Sequence, residues 1–452
     1  MMLHVVVLAA GEGKRMRSRH PKVLQPVGGQ AMLGHLLDTA QALAPDQIHV
    51  VVGQGAAAVQ DQFPAFSGVW VHQRERLGTG HATLQALPGI PDEARVLVLP
   101  GDMPLVRAET LTRLVQSSAD LSVLSFVADD PTGYGRVLRD ADDQVSAIVE
   151  QADASPEQAQ VREVNAGVMV AKGQALKDWL ARLEPKNAQG EYYLTDAVAL
   201  AVGRCQRVEA VIAADGQECM GANDRAGLAE LERVWQWRQR HALMAAGAML
   251  EDPATVWVKG SVEVGQDVRI GPNVTFQGQV ALGDGVVVET GCVIDDCRLA
   301  ADTHLAPYSV LAGVETTGAC QVGPFARLRQ GTVLADQVKI GNFVEVKQAS
   351  LAAGAKASHL SYIGDAAIGE GVNIGAGTIT CNYDGVAKHT TTIEPGAFIG
   401  SNTALVAPVT IGSDAVIGAG SVISKDAPRD QLSLTRAPQR SIEGWVRPKK
   451  TR

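Results

Sequence analysis

From residue 264 onward, aliphatic or aromatic side chains recur every sixth position. Val264, Ile270, Phe276, Leu282, Val288 and Ile294 form one run, Val322, Leu328, Leu334, Ile340 and Val346 a second, and Ile393, Ile399, Leu405, Ile411, Ile417 and Ile423 a third. Glycine follows many of them, as at Gly265, Gly271, Gly323, Gly341, Gly400 and Gly418. A period of six fits neither a 3.6-residue helix nor a meander of longer strands. It suits a coil of short strands in which each flat face hides one side chain and each corner takes a small residue, a parallel β-helix. Three faces make a turn of about 18 residues, so residues 251–425 hold about ten turns. The count slips between Leu299 and Val314 and again between Ala349 and Thr392. Insertions are expected to leave the prism there as loops, where repeat proteins place function.

The first half follows other rules. Short β-branched runs (His4–Leu8, Ile48–Val52, Arg95–Leu99, Leu121–Phe126) alternate with helical stretches such as Met32–Leu43 and Ala108–Ser117. That alternation predicts an α/β domain with a parallel sheet covered on both faces. It closes near Asn223. A helix is predicted over Arg225–Met249, with Leu228, Leu231, Trp235 and Leu243 near one stripe. It is either an ordinary packed helix of the first domain or a rigid arm between domains; the change of pattern beyond it favours the arm. The expected organisation is a domain over 1–225, a helical linker over 226–246, and a coil with its tail over 247–452. The basic end, Arg447 to Arg452, is expected to be a solvated tail.

Charge and cysteine usage narrow the function. A formal charge of -9 argues against a surface that coats nucleic acid, so any anion site must be local. Six cysteines without a CxxC pair read as reduced thiols of a cytoplasmic protein. The apolar start Met1–Ala10 lacks the basic flank of a signal peptide, and no run approaches 18 apolar residues, so no membrane span is expected.

Leu8-Ala-Ala-Gly-Glu-Gly-Lys-Arg-Met16 follows the first strand, and Gly11 and Gly13 permit a tight turn whose N–H groups approach an anion. It is neither a Walker A loop nor GxGxxG. A glycine loop alone is more often a structural turn than a phosphate cradle. With Arg15 and Pro21-Lys22 behind it, the pattern resembles sugar-1-phosphate nucleotidyltransferases, which imply a Rossmann-like domain. Gln73-Arg-Glu-Arg-Leu-Gly-Thr-Gly-His81 resembles that family's base-reading loop, and Pro100-Gly-Asp-Met-Pro104 ends an apolar strand where an α/β sheet presents side chains to ligand. The resemblance implies that Leu8, Ala9, Ala10, Gly11, Gln73, Gly78, Thr79 and Gly101 hold UTP. It implies Gly135, Glu150 and Asn165 on the sugar phosphate, Arg15 and Lys22 as charge-neutralising catalytic groups, and Asp102 with Asn223 on Mg²⁺. The family commonly has Thr where Lys14 stands and Tyr where Pro100 stands.

In the coil, Pro324-Phe-Ala-Arg-Leu-Arg329, Gly341-Asn-Phe-Val-Glu-Val-Lys347, Ser358-His-Leu-Ser-Tyr-Ile-Gly364 and Val372–Gly385 fall in the slipped region. They are similar to the glucosamine-1-phosphate acetyltransferase module. Together the halves resemble the bacterial bifunctional N-acetylglucosamine-1-phosphate uridylyltransferase/glucosamine-1-phosphate N-acetyltransferase family over nearly the whole chain. The resemblance implies a left-handed coil, a homotrimer whose acetyl site is completed at subunit contacts, and His359 as general base. It places Arg329, Lys347, Tyr362, Asn373 and Lys388, with Asn382 and Tyr383, around the sugar phosphate. Asn382 and Tyr383 are also assigned, with Ala376, Ser401, Ala419 and Arg436, to the acetyl-CoA cleft. Gln330 stands where the family usually has Pro. A hexapeptide coil by itself decides nothing about activity, so the alternatives are a monofunctional nucleotidyltransferase with a regulatory coil and a trimeric scaffold.

Overall fold

The computed structural model describes residues Met1 to Pro448, so most of the predicted basic tail, Lys449–Arg452, lies outside the described residues. The chain divides into two compact units, Met1–Trp237 and a second beginning at Arg238.

The first unit is built on a nine-stranded sheet. Across its main path the strands run Val208–Ile212, Leu121–Val127, Glu163–Lys172, Arg95–Pro100, Leu3–Ala9, Gln47–Val52 and Val69–His72. Both faces are covered, as the near-continuous Val/Ile/Leu runs require. Helices Met32–Ala42 and Ala108–Gln116 bury Leu33, Leu36, Leu111 and Leu114 on one side. Thr79–Ala86, Gly173–Leu180 and Asp196–Val202 bury Ala82, Leu176, Trp179 and Val198 on the other. The sheet is not all parallel as expected: Glu163–Lys172 runs antiparallel to both neighbours. The chain reaches it through the antiparallel pair Arg136–Arg139 and Val145–Val149 rather than a helical crossover, and without a crossover a strand cannot return parallel.

The predicted long helix spans Arg225–Ala245. Leu231 and Val234 join Met16, Val27, Met32 and Leu105 in a small core of the first unit. Leu243 and Ala248 open the core of the second unit. The helix ends short of Met249 because Gly247 takes φ +101°, and Met249–Leu250 already forms the first rung.

The second unit is a left-handed parallel β-helix, with eleven short strands stacked along one face. Of the six-spaced positions, all but the half-buried Val264 are buried, from Ile270 at 0% exposure to Ile423 at 4%. The two slips differ in kind. At the first, Leu282 pairs with Leu299 and Ile294 with Leu311, rungs of 17 residues, so one residue has been dropped and no loop leaves the prism. The expectation of an insertion there was wrong. The second slip begins with the same shortening, Leu334 opposite Leu351. It then contains a true insertion between Cys381 and Thr391, closed by an antiparallel bridge from Tyr383 to Lys388.

Candidate functional site

The strands Leu3–Ala9 and Arg95–Pro100 lie side by side, and the chain leaves them in opposite directions across the sheet, which opens a crevice at their carboxyl ends. A cleft of about 680 Å³ occupies this place. The Gly101 N–H donates to the Leu8 carbonyl at 2.9 Å, and a Cβ on Gly101 would stand 2.7 Å from the same oxygen. Only glycine lets the two strand ends approach so closely. Gly13 has φ +63°, and a Cβ there would meet Lys22 Cβ at 2.6 Å, so the loop's shape brings Lys22 in. Lys22 Nζ then donates to Asn223 Oδ1 at 2.6 Å and forms an ion pair with Asp102. Gly221 lies where a Cβ would touch the Asp102 carboxylate at 3.2 Å.

Asp102 and Asn223, far apart in sequence, thus aim two hard oxygens at one ammonium-sized point. That donor set suits a divalent cation that takes few protein ligands and fills its shell with water and phosphate. No cluster of three or more His, Cys, Asp or Glu able to hold a metal exists among the described residues.

Gln73 is buried, and its amide nitrogen donates to the Gly78 carbonyl at 3.2 Å and meets His81 Nδ1 at 3.0 Å. Gly78, at φ +106°, begins helix Thr79–Ala86, and a Cβ would collide with the Tyr192 carbonyl at 2.6 Å. At the other end of the cleft, Glu150 accepts from the Thr195 hydroxyl at 3.0 Å, and burial raises its carboxyl above the usual range. The Asn165 N–H donates to the Gly135 carbonyl, and Asn165 Oδ1 accepts from the Gly167 N–H. A Cβ on Gly167 would meet Pro100 Cγ at 2.9 Å, so Pro100 enters as a packing surface.

Leu8, Ala10, Gly11, Lys22, Gln73, Gly78, Thr79, Asp102, Glu150 and Asn165 line the cleft together, whereas Ala9, Gly101 and Gly135 shape it from behind. Asn223 reaches it through Lys22. Arg15 is exposed and outside the lining. Sequence reasoning missed Glu12, Arg76, Glu191 and Thr195 on the wall. Arg76 forms an ion pair with Glu12, which also lies 3.4 Å from Lys14. The signal available for Glu191 and Thr195 was the polar stretch Gln189–Asp196, which holds two of the chain's six tyrosines side by side.

In the coil, parallel in-register stacking turns sequence distance into height. Asn342 pairs directly with His359. Two residues past the paired Ala357, Ile374, Ile399 and Ile417 stand His359, Ala376, Ser401 and Ala419, so these share one corner column. Successive rungs lie about 4.8 Å apart, which places Ser401 about 10 Å and Ala419 about 14 Å above His359. The corner changes character at the histidine. Its left-handed positions hold Tyr308, Phe325, Phe343 and Leu360 up to that level, then Gly377, Asn402 and Gly420 above it. The aromatic rings stack at 5.3 and 5.5 Å between centroids. Above His359 only short side chains remain, which leaves an open lane. At its top, Arg436 lies along Gly420, 3.7 Å from where a Cβ would be.

Around the corner, Arg329 and Lys347 stand on adjacent rungs, and Lys388, carried by the insertion, draws close enough to Lys347 to lower its pKa. Arg329 pairs with Glu345 at 2.8 Å. Tyr362 pairs in register with Glu345, and the Asn382 amide reaches both the Tyr362 hydroxyl, at 3.5 Å, and Asp365. Three cations crowded together call for an anion. Asn373 lies on the rung above His359, on the strand that enters the corner. Tyr383 is exposed, and its hydroxyl donates to the Gly385 carbonyl, which keeps it within the inserted hairpin.

Comparison with known proteins agrees with this division. The MobA-like NTP transferase domain matches residues 5–190, the GMPPB C-terminal domain residues 254–353, and the bacterial transferase hexapeptide, six repeats, residues 390–425. Proteins of Stenotrophomonas maltophilia (strain K279a) and Xanthomonas euvesicatoria pv. vesicatoria (strain 85-10), each named Bifunctional protein GlmU, are 55% identical over 449 residues, 99% of this chain and 99% of theirs. With likeness of that extent over 99% of both chains, the chain belongs to the family of bifunctional GlmU proteins.

Proposed function

We propose that the chain makes UDP-N-acetylglucosamine in two steps, acetyl transfer in the coil followed by uridylyl transfer in the first unit. The observation that carries this reading is the corner column: a histidine stands at the foot of a lane walled by alanine, serine and glycine, beside a cluster of cations.

In the coil, Arg329, Lys347 and Lys388 hold the phosphate of glucosamine-1-phosphate, with Tyr362, Asn373, Asn382 and Tyr383 on the sugar side. The thioester arm of acetyl-CoA lies in the lane past Ala376, Ser401 and Ala419, with Arg436 at its far end. The sugar amine attacks the thioester carbonyl carbon, His359 Nε2 takes the amine proton, and as the carbon–sulfur bond breaks the imidazolium returns that proton to the departing sulfur, releasing coenzyme A as thiol. A histidine suits this proton transfer near neutral pH. Cys381 has no part, because direct transfer needs no nucleophile beyond the amine.

In the first unit, a phosphate oxygen of N-acetylglucosamine-1-phosphate attacks the α-phosphorus of UTP in line, and pyrophosphate leaves. Gln73 and the backbone around Gly78 and Thr79 read uracil. Gly135, Glu150 and Asn165 hold the sugar. Lys22 neutralises the triphosphate from the cleft wall, and Arg15 joins it only by turning in from its exposed position, so the protein acts by positioning and charge rather than by a covalent intermediate. Asp102 and Asn223 would hold Mg²⁺, which supplies further charge neutralisation at the phosphates when bound. We place both reactions in the cytoplasm, in a homotrimer, feeding peptidoglycan and lipopolysaccharide synthesis.

The test incubates the protein with glucosamine-1-phosphate, acetyl-CoA, UTP and Mg²⁺ and omits each in turn; UDP-N-acetylglucosamine must vanish on every omission. His359→Ala should lower acetyl transfer by about 10²–10⁴-fold and leave uridylyl transfer unchanged, and Asp102→Asn should do the reverse. A single variant that silenced both would refute the division of labour.

A further inference from the structure

We infer that Asn342 is a positioning residue for His359: it fixes the ring orientation and keeps the proton on Nδ1, so that Nε2 faces the substrate amine with a free lone pair. The inference rests on the acetyl-transfer reading above, to which it adds a residue.

Asn342 and His359 are directly paired on adjacent rungs, and Asn342 Oδ1 lies 2.8 Å from His359 Nδ1. A carbonyl oxygen can only accept, so the hydrogen of this bond belongs to Nδ1. The neutral imidazole then carries its lone pair on Nε2, the atom a general base needs. Each partner is held by the backbone. The Leu360 N–H donates to the Asn342 carbonyl at 3.1 Å, and the residue after each partner, Phe343 and Leu360, takes the same left-handed turn. The two corners are thus superimposed, one rung apart. Gly341 makes this close approach possible, since a Cβ there would lie 1.9 Å from the Ser358 carbonyl. The charged side chains of the adjoining strands, Lys339 and Lys356 leading into the corner and Glu345 and Lys347 beyond it, form no ion pair or hydrogen bond with His359 among the described residues. Orientation of the ring therefore depends on Asn342. His359 is exposed, and an exposed imidazole without a partner samples other rotamers and both tautomers.

The experiment compares Asn342→Leu and Asn342→Asp with the wild-type chain in acetyl transfer from acetyl-CoA to glucosamine-1-phosphate, across pH 5.5–9. Leucine keeps the volume and removes the acceptor. It should lower kcat by about 10- to 100-fold, the cost of a misplaced catalytic group, with both KM values within about threefold of wild type. Aspartate keeps the acceptor and adds charge. It should restore kcat to within about tenfold of wild type and move the acid limb of the pH profile to higher pH, because a carboxylate favours the protonated imidazole. Coenzyme A binding by each variant reports an intact coil. Full kcat in Asn342→Leu, or Asn342→Asp no better than leucine with an unmoved acid limb, overturns the inference. Absence of acetyl transfer in the wild-type chain overturns the functional reading and this inference with it, whereas wild-type turnover retained in the leucine variant overturns the inference alone.

Discussion

Two histidines sit inside the first unit at the opposite end of the strands from the cleft, and they make its stability depend on pH. His4 Nδ1 lies 3.0 Å from His49 Nε2, the rings stack 5.3 Å apart, and both are buried at 7% and 3% exposure. Burial pulls both below the ordinary value of 6.5, His49 to about 4, and the neighbouring Asp46 opposes this only at His4. The folded chain therefore keeps the pair neutral at pH values where the unfolded chain has already protonated it. Above about pH 7 neither state carries the proton, and stability does not change. As pH falls through 6.5 the unfolded state binds protons first, so stability drops, and the drop is complete once pH passes below about 4. The gap between 6.5 and about 4 for His49, at about 1.4 kcal/mol for each pH unit, amounts to about 3 kcal/mol. Urea unfolding followed by the fluorescence of buried Trp179 at pH 7 and at pH 4 measures the loss. Carboxylates titrate in the same window, so the reading is the difference between the wild-type chain and His49→Leu, which should lose about 3 kcal/mol less on acidification. Parallel stability curves for the two proteins would refute the reasoning.

Two further outcomes follow from close approaches in the two units. Gly101→Val should destabilise the first unit by about 1–3 kcal/mol, because its side chain must enter the space of the Leu8 carbonyl, and should depress uridylyl transfer while acetyl transfer by the same preparation persists. Ser401→Leu should raise the KM for acetyl-CoA by roughly tenfold, about 1.4 kcal/mol, by filling the lane above His359, with uridylyl transfer unchanged; an unaltered KM means the thioester arm runs elsewhere.

The parts of this protein that sequence reasoning could reach are those in which one residue answers to one physical demand. Phe276, Leu328 and Ile399 are buried because each face of the coil has room for one apolar side chain, and that demand repeats every six residues in plain sight. Gly13 is likewise legible as a turn residue, and it takes φ +63° where a Cβ would meet Lys22. Direction and phase are different. The run Glu163–Lys172 looks like any other strand, and whether it returns parallel depends on the intervening connection, here an antiparallel pair whose short strands do not stand out. A slip in a six-residue count shows only a change of phase; dropping one residue, as before Leu299, and inserting several, as after Cys381, both break the run.

That the corner residues of the coil share one column was hidden for the same reason. Asn342, His359, Ala376, Ser401 and Ala419 stand in one column although their separations are 17, 17, 25 and 18 residues, so no fixed period connects them. Only the local length of each rung converts those numbers into steps of equal height. The column of residues expected around acetyl-CoA and the unforeseen asparagine beneath His359 then follow from one rule: in a parallel coil, the neighbour of a residue is whatever stands one local turn away. The shortened rungs below His359 and the lengthened one above it also have a chemical consequence. They hold Asn342 directly under His359 while an inserted loop carries Lys388 to Lys347, so a change in rung length rather than any change of fold gathers these side chains at one level.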